Sequence, residues 1–192
     1  LDAQPPSPLD QIPADNVGDL RLVWSWALRT GPQQTTPLVH GGVLYIANPG
    51  EIIHAINAAT GDLIWEYERG AEAPGNSFGG PPPGRMTRNI SIYEDKIFLN
   101  TADAHVVAVD AATGEEIWDA DIDQGVGYQF SSGSIVADGK VVSGLTGCGR
   151  YREESCYIVG LDARTGEELW RTSTIALPGT RGGDSWGDLP PM

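Results

Sequence analysis

Three stretches decide the fold: Ala55-Ile56-Asn57-Ala58-Ala59-Thr60-Gly61-Asp62-Leu63-Ile64-Trp65, Ala108-Val109-Asp110-Ala111-Ala112-Thr113-Gly114-Glu115-Glu116-Ile117-Trp118, and Gly160-Leu161-Asp162-Ala163-Arg164-Thr165-Gly166-Glu167-Glu168-Leu169-Trp170. They align without gaps, with Trp-to-Trp spacings of 53 and 52 residues. In each, an apolar run enters an Asx-Ala-x-Thr-Gly turn and a second run leaves it toward the Trp. An Asn or Asp side chain can accept hydrogen bonds from backbone groups inside such a turn, and Gly tolerates the positive φ that closes it. Each stretch therefore reads as a β-hairpin carrying a large aromatic side chain on its second strand.

Outward from these hairpins lie further strand pairs. Pro37-Leu38-Val39 faces Gly42-Val43-Leu44-Tyr45-Ile46, and Ile90-Ser91-Ile92-Tyr93 faces Lys96-Ile97-Phe98-Leu99 across Glu94-Asp95. Ser134-Ile135-Val136 faces Lys140-Val141-Val142 across Ala137-Asp138-Gly139. Four strands in about 50 residues are the size of one propeller blade. The fold class predicted is all-β: a β-propeller segment of three four-stranded blades spanning residues 29–68, 69–121 and 122–173. Residues 1–28, through Leu20-Arg21-Leu22-Val23-Trp24-Ser25-Trp26, read as the closing strand of a preceding blade, and 174–192 as the approach to the next. A closed ring takes about 4–8 blades, and a blade cannot bury both faces alone. The chain is thus expected to need the remainder of a propeller, from the same longer chain or from a complementary one.

Composition narrows the function. Hydrophobic residues make up 40% of the chain, enough for a core, and 25 Gly with 14 Pro suit a turn-rich β protein. The net charge of −14 argues against nucleic acid, because phosphate binding needs Lys and Arg. No run of about 18 apolar residues predicts a membrane span, and Leu1-Asp2-Ala3-Gln4-Pro5-Pro6 is not an intact signal peptide. Cys148 and Cys156 are close enough for a local disulfide, which would place the chain in an oxidising compartment; two free thiols are the alternative. No Cys-x-x-Cys suggests zinc. His40, His54 and His105 lie on strand-like segments without metal-ligand spacing and read as structural. Gly79-Gly80 and Gly182-Gly183 lack the strand–loop–helix setting of a nucleotide site.

The Ala-x-Asp-x-x-Thr-Gly-x-x-x-Trp pattern resembles the tryptophan-docking motif of the eight-bladed, PQQ-dependent (quinoprotein) alcohol dehydrogenases of methanol and ethanol type. In that family each Trp stacks between an Ala of its own motif and the next blade. Ala55 and Ala108 match, Gly160 departs, and Asn57 replaces Asp in the first copy. Ser7-Pro8-Leu9-Asp10-Gln11-Ile12, Asn16-Val17-Gly18-Asp19-Leu20, Thr35-Thr36-Pro37-Leu38-Val39 and Gly182-Gly183-Asp184-Ser185-Trp186-Gly187-Asp188-Leu189-Pro190 are similar to family segments too. The resemblance covers nearly the whole chain, as roughly the N-terminal third of such a propeller.

The resemblance implies an enzyme that oxidises an alcohol to an aldehyde or ketone by hydride transfer to PQQ. Ca²⁺ or a lanthanide would act as Lewis acid on the quinone C5 carbonyl. It also implies a periplasmic location, a small alcohol substrate and an electron acceptor such as a cytochrome c. Arg88, in Thr87-Arg88-Asn89-Ile90, matches the family Arg that contacts the quinone carboxylates, chemistry for which a guanidinium is suited; otherwise it is a surface Arg. Ser131 falls where a family Thr hydroxyl bonds the cofactor, and is otherwise a turn residue. Thr146, Gly147 and Cys148 align with a quinone-contacting loop.

The departures are specific. Gly149 sits where the family places a metal-binding Glu, so Glu153 and Glu154 are the candidate metal ligands, with solvated loop acids as the plainer reading. Gln34 replaces a Glu, retaining a hydrogen-bonding amide without the charge. Pro82-Pro83 stands where many members carry adjacent cysteines. The resemblance places the catalytic Asp, an Asn metal ligand and the Trp beneath the quinone beyond Met192, so no catalytic residue is expected in this chain. A non-enzymatic propeller that scaffolds assembly, as in outer-membrane biogenesis, shares the repeat and is the alternative.

Overall fold

The computed structural model describes residues 12–69, 88–122, 129–130, 132–146, 157–176 and 179–186. Three antiparallel sheets follow one another along the chain. The first contains β1 (Leu38–His40), β2 (Val43–Asn48), β3 (Ile52–Asn57) and β4 (Leu63–Glu68). The second contains β5 (Ser91–Tyr93), β6 (Lys96–Asn100), β7 (His105–Asp110) and β8 (Glu116–Asp121). The third contains β9 (Gln129–Phe130), β10 (Ile135–Ala137), β11 (Lys140–Thr146), β12 (Tyr157–Asp162) and β13 (Glu168–Ser173). Strands pair in sequence order within each sheet, with β9 added on the far end of β11. These are three meandering four-stranded blades, as the spacing of the repeats requires.

Period-2 alternation explains the packing. In the second blade Ile97, Leu99, Val107 and Val109 enter one core with Tyr45, Ala47, Ile53, Ala55, Trp65 and Tyr67 of the first blade. Phe98, Val106 and Ala108 enter the other core, with Val141, Leu145, Val159 and Leu161 of the third. This is why Val106-Val107-Ala108-Val109 is an unbroken apolar run rather than an alternating one: both faces are covered. The third blade is covered on one face only among the described residues, and Ile158, Leu169 and Trp170 are exposed on it.

The turns form as their residues dictate. Asn57, Asp110 and Asp162 each accept two backbone hydrogen bonds through one side-chain oxygen. Gly61, Gly114 and Gly166 take φ of +79°, +78° and +76°. Each turn is buttressed by the preceding hairpin: the amides of Ala58, Ala111 and Ala163 donate to the carbonyls of Gly42, Asp95 and Gly139. The register pairs Ala55 with Trp65, Ala108 with Trp118 and Gly160 with Trp170, and slips immediately after each. The hairpin read as turning over Ala137-Asp138-Gly139 turns over Asp138-Gly139 alone, because Ala137 pairs with Lys140 and both loop residues adopt positive φ.

Each Trp rests on the glycine of the following turn. A Cβ built on Gly61, Gly114 or Gly166 would stand 2.7 Å from the ring of Trp24, Trp65 or Trp118 respectively. Trp24 and Trp65 also donate Nε1–H to the carbonyls of Ala58 and Ala111, at 3.0 and 3.1 Å. Leu20–Trp26, read from sequence as a closing strand, joins no ladder among the described residues, and Leu22 and Val23 are exposed. It is held instead by its indoles: Trp24 on Gly61, and Trp26 through Nε1–H to Nδ1 of His54 at 3.2 Å. Gly160, the departure from Ala, has a local reason. A Cβ there would lie 2.2 Å from Trp170 Cε2, so the missing side chain makes room for that ring.

Candidate functional site

The segments that lead into β1, β5 and β10 all arrive at the same end of their blades, opposite the Thr-Gly turns. Gln34 precedes β1, Arg88 precedes β5, and Ser131 precedes β10 in the chain. β11 runs antiparallel to β10, so its last residue, Thr146, returns to that end. The described residues of the predicted site, Gln34, Arg88 and Thr146, are thus brought to one rim of the three-blade arc. Ser131, Gly147, Cys148, Glu153 and Glu154 lie outside the described residues, as does Cys156.

The lead-in segments are joined to one another. Thr36 donates its amide to Asn89 Oδ1 at 3.0 Å, linking the first blade to the second. Gly133 lies against the Asn89 peptide so closely that a Cβ would meet its carbonyl oxygen at 2.1 Å, linking the second to the third. Ser91 and Ser134 share a hydroxyl hydrogen bond at 2.7 Å. Beneath them, Asn100 donates to the Ser132 carbonyl at 3.0 Å and accepts from the buried Ser143 hydroxyl at 3.1 Å. Ile90, buried beside Asn89, anchors this part of the chain in the first interblade core.

The donor set is mixed. Arg88 is half-buried and Gln34 exposed. The neighbouring Gln33 donates to the Ala47 carbonyl at 2.9 Å, while its Oε1 and the Thr35 hydroxyl are buried without a hydrogen-bond partner among the described residues. Thr146 commits its hydroxyl proton to the Gln129 carbonyl at 2.9 Å, so toward a ligand it can act only as an acceptor. A guanidinium and amide and hydroxyl groups on one rim are donors and acceptors of the kind a flat anionic quinone bearing carboxylates requires. The same residues do not suit a metal: no three His, Cys, Asp or Glu side chains come together as ligands among the described residues.

A second polar cluster sits between the first and second blades, and sequence reading missed it. The Arg69 guanidinium is bidentate to Asp103 through Nη1 at 2.7 and 2.8 Å, and Nε donates to Asp119 at 3.0 Å. Glu51, 3% exposed, lies 3.6 Å from the same Nη1 and accepts from the Ala102 amide. Burial opposes ionisation of Asp103, but hydrogen bonds from Arg69 and Thr101 outweigh it and hold the carboxyl below the usual aspartate range. Asp119 also accepts from His105 at 2.6 Å. Glu66, its counterpart one residue after Trp65, lies 2.6 Å from His54 and 3.3 Å from Arg29, and these partners lower its pKa. His54 Nδ1 faces the Trp26 and Asn48 donors, which leaves Nε2–H for Glu66. Both histidines act as braces, as expected for residues without metal spacing.

Of the residues the sequence left aside, Asn89 and Gly133 matter most at the rim. Their only sequence signal was position: Asn89 follows Arg88, and Gly133 follows Ser131-Ser132.

The PQQ family described as glucose/ethanol/alcohol dehydrogenase, β-propeller domain, matches residues 3–188. A quinohemoprotein alcohol dehydrogenase, ADH-IIG of Pseudomonas putida, is 32% identical over 91% of this chain and 24% of its own length. The crystal structure of the quinohemoprotein alcohol dehydrogenase from Comamonas testosteroni superposes with a TM-score of 0.77 at 31% identity, over 90% of this chain and 26% of that one. A europium-containing methanol dehydrogenase superposes at 0.70 with 26% identity, over 85% of this chain and 29% of its own. The chain spans about a quarter of the length of the curated relatives it matches.

Proposed function

Because the chain belongs to the PQQ family of glucose/ethanol/alcohol dehydrogenase β-propellers, we propose that it forms three consecutive blades of a catalytic propeller whose complete protein oxidises an alcohol to an aldehyde or ketone. When bound, PQQ supplies the acceptor for the hydride that leaves the alcohol carbon. This chain's share is binding and orientation. Arg88 pairs with a quinone carboxylate, Gln34 offers its amide to a quinone or carboxylate oxygen, and Thr146 accepts a hydrogen bond. Ser131, Gly147 and Cys148 complete the contacts on the third blade. The Ala–Trp pairs serve as docking motifs that fix each blade against the next.

The observation that carries this reading is the joined rim: three lead-in segments bearing Gln34, Arg88 and the approach to β10 are tied together by Thr36, Asn89 and Gly133. Ca²⁺ or a lanthanide, a cytochrome c as electron acceptor, a periplasmic location and a Cys148–Cys156 disulfide belong to the same proposal for the complete protein.

The test is titration of the complete apoprotein with PQQ in the presence of Ca²⁺ or La³⁺, followed by dye reduction with primary and secondary alcohols. Saturable PQQ binding that Arg88→Ala weakens, together with alcohol-dependent reduction, is expected. No PQQ binding and no reduction would overturn the enzyme reading in favour of an assembly scaffold. Peptide mapping without reductant tests the disulfide.

A further inference from the structure

We propose that Asn89 is a positioning residue for the cofactor rim: it acts through the lead-in segment that carries Gln34, and holds that segment and the approach to the third blade beside the segment that carries Arg88. The inference rests on the reading above that Arg88 faces the quinone.

The geometry is two-sided. The Asn89 side chain reaches the first blade, where Oδ1 accepts the Thr36 amide at 3.0 Å. Its own peptide forms a wall for the third blade, where a Cβ on Gly133 would meet the Asn89 carbonyl oxygen at 2.1 Å and its carbon at 2.7 Å. Thr36 is two residues from Gln34, and Gly133 two from Ser131. One residue therefore ties the segment that carries Gln34 to the one that carries Arg88, and sets the approach to β10 against both. Thr36 is also where such a tie is most effective. Pro37 has no N–H, so the Thr36 amide is the last backbone donor before β1. On the other flank, the buried Ile90 holds the backbone of Asn89 in the core. Loss of the amide side chain frees the segment carrying Gln34 without touching the core.

The test uses the complete apoprotein and its Asn89→Ala, Gln34→Ala, Arg88→Ala and Asn89→Asp variants, with Asn89→Ala/Gln34→Ala as the double variant. PQQ affinity is read by equilibrium titration, and the thermal midpoint of each apoprotein is recorded beside it. One lost hydrogen bond of this kind corresponds to about tenfold in affinity, so Asn89→Ala is expected to weaken PQQ binding by about that factor. The double variant should bind no more weakly than Gln34→Ala alone, because Asn89 acts through the segment that carries Gln34. Asn89→Asp keeps the acceptor for Thr36 and should bind within about threefold of the native protein once salt screens its charge.

Unchanged affinity in Asn89→Ala, whether or not its midpoint falls, overturns the inference while Arg88→Ala still weakens binding. Losses that add in the double variant overturn it as well. If Arg88→Ala itself binds PQQ normally, the underlying reading of the site has failed instead.

Discussion

Trp65 lies against Gly114 with no room between them: a Cβ on that glycine would stand 2.7 Å from Cδ2 and 2.8 Å from Cε3 of the indole. The same residue holds φ at +78°, so two independent demands meet at one position. Gly114→Ala is therefore expected to be costly. Left-handed backbone costs an L-residue about 1–2 kcal/mol, and forcing an extra carbon into a packed contact about 1–3 kcal/mol. Gly41, with φ of +58° and nothing within 4 Å of its Cβ position, makes the comparison. Gly41→Ala should show the backbone cost alone, about 1–2 kcal/mol. Thermal midpoints of the two variants check this, and equal shifts would mean that the Trp–Gly contact adds nothing.

The turn beneath that contact was legible in the sequence, the Trp–Gly contact itself was not, and the reasons show where legibility ends. The Thr-Gly turns announce themselves because both the Asx side chain and the positive-φ glycine are local requirements. Strand β7 is legible because its apolar run leads into such a turn, whereas its burial on both faces depends on the neighbouring blades. The Arg69 cluster is not, because its carboxylates come from positions 34 and 50 residues further on and only blade packing brings them together. Which of Gln33 and Gln34 turns inward depends on register, and register is set by β1–β2 pairing rather than by the residues themselves. Gln33 is the one that bonds Ala47, and Gln34 stays exposed. Arg88 and Gln34 are rim positions that family resemblance implies, whereas Asn89 and Gly133 matter only through contacts between blades.

The Arg69 cluster predicts acid sensitivity. Removing one partner of a buried ion pair costs about 3–5 kcal/mol, and the Arg69 side chain is 7% exposed. Arg69→Met should therefore lower the thermal midpoint strongly at neutral pH. The sign with pH follows from Asp103, whose folded pKa lies below its ordinary value. Its contribution is complete above the unfolded aspartate value of about 3.9 and is lost as pH falls through the lower folded value. The native protein should lose stability on acidification below about pH 4, and Arg69→Met should lose less over the same range. Parallel acid limbs for the two proteins would remove Asp103 as the cause.

At the alkaline end the controlling group is Tyr67. It is buried, and its hydroxyl donates to Glu116 Oε2 at 2.6 Å. Burial, and then the Glu116 carboxylate, push the phenol well above the ordinary tyrosine range. The neutral form is the one the fold prefers, so the contribution is complete below the unfolded value of about 10 and is lost as pH rises beyond it. Tyr67→Phe should cost about 1 kcal/mol at neutral pH, because Glu116 on the exposed face regains water. It should also flatten the decline above about pH 10. Midpoints measured from pH 7 upward would show the two curves converging; a constant offset would rule out Tyr67 as the titrating group.

The rim makes a last prediction at Gly133. The neighbour that a side chain would strike is the Asn89 backbone carbonyl at 2.1 Å, which cannot move aside as a flexible side chain can. Gly133→Ala must then displace one of the two segments, and Asn89 is anchored on its other flank by the buried Ile90. The segment leading into β10 is the freer partner. Its displacement moves the approach to β10 relative to the segment that carries Arg88 while leaving the β10–β13 ladder intact. An overpacking cost of about 1–3 kcal/mol corresponds to roughly tenfold or more in an equilibrium constant, and PQQ affinity should fall by that order. Gly18→Ala, far along the chain from the proposed contacts and with nothing within 4 Å of its Cβ position, serves as control and should bind as the native protein does. Titration of both apoproteins with PQQ decides the matter: native-like binding by Gly133→Ala would show that the third blade's approach does not set the geometry around Arg88.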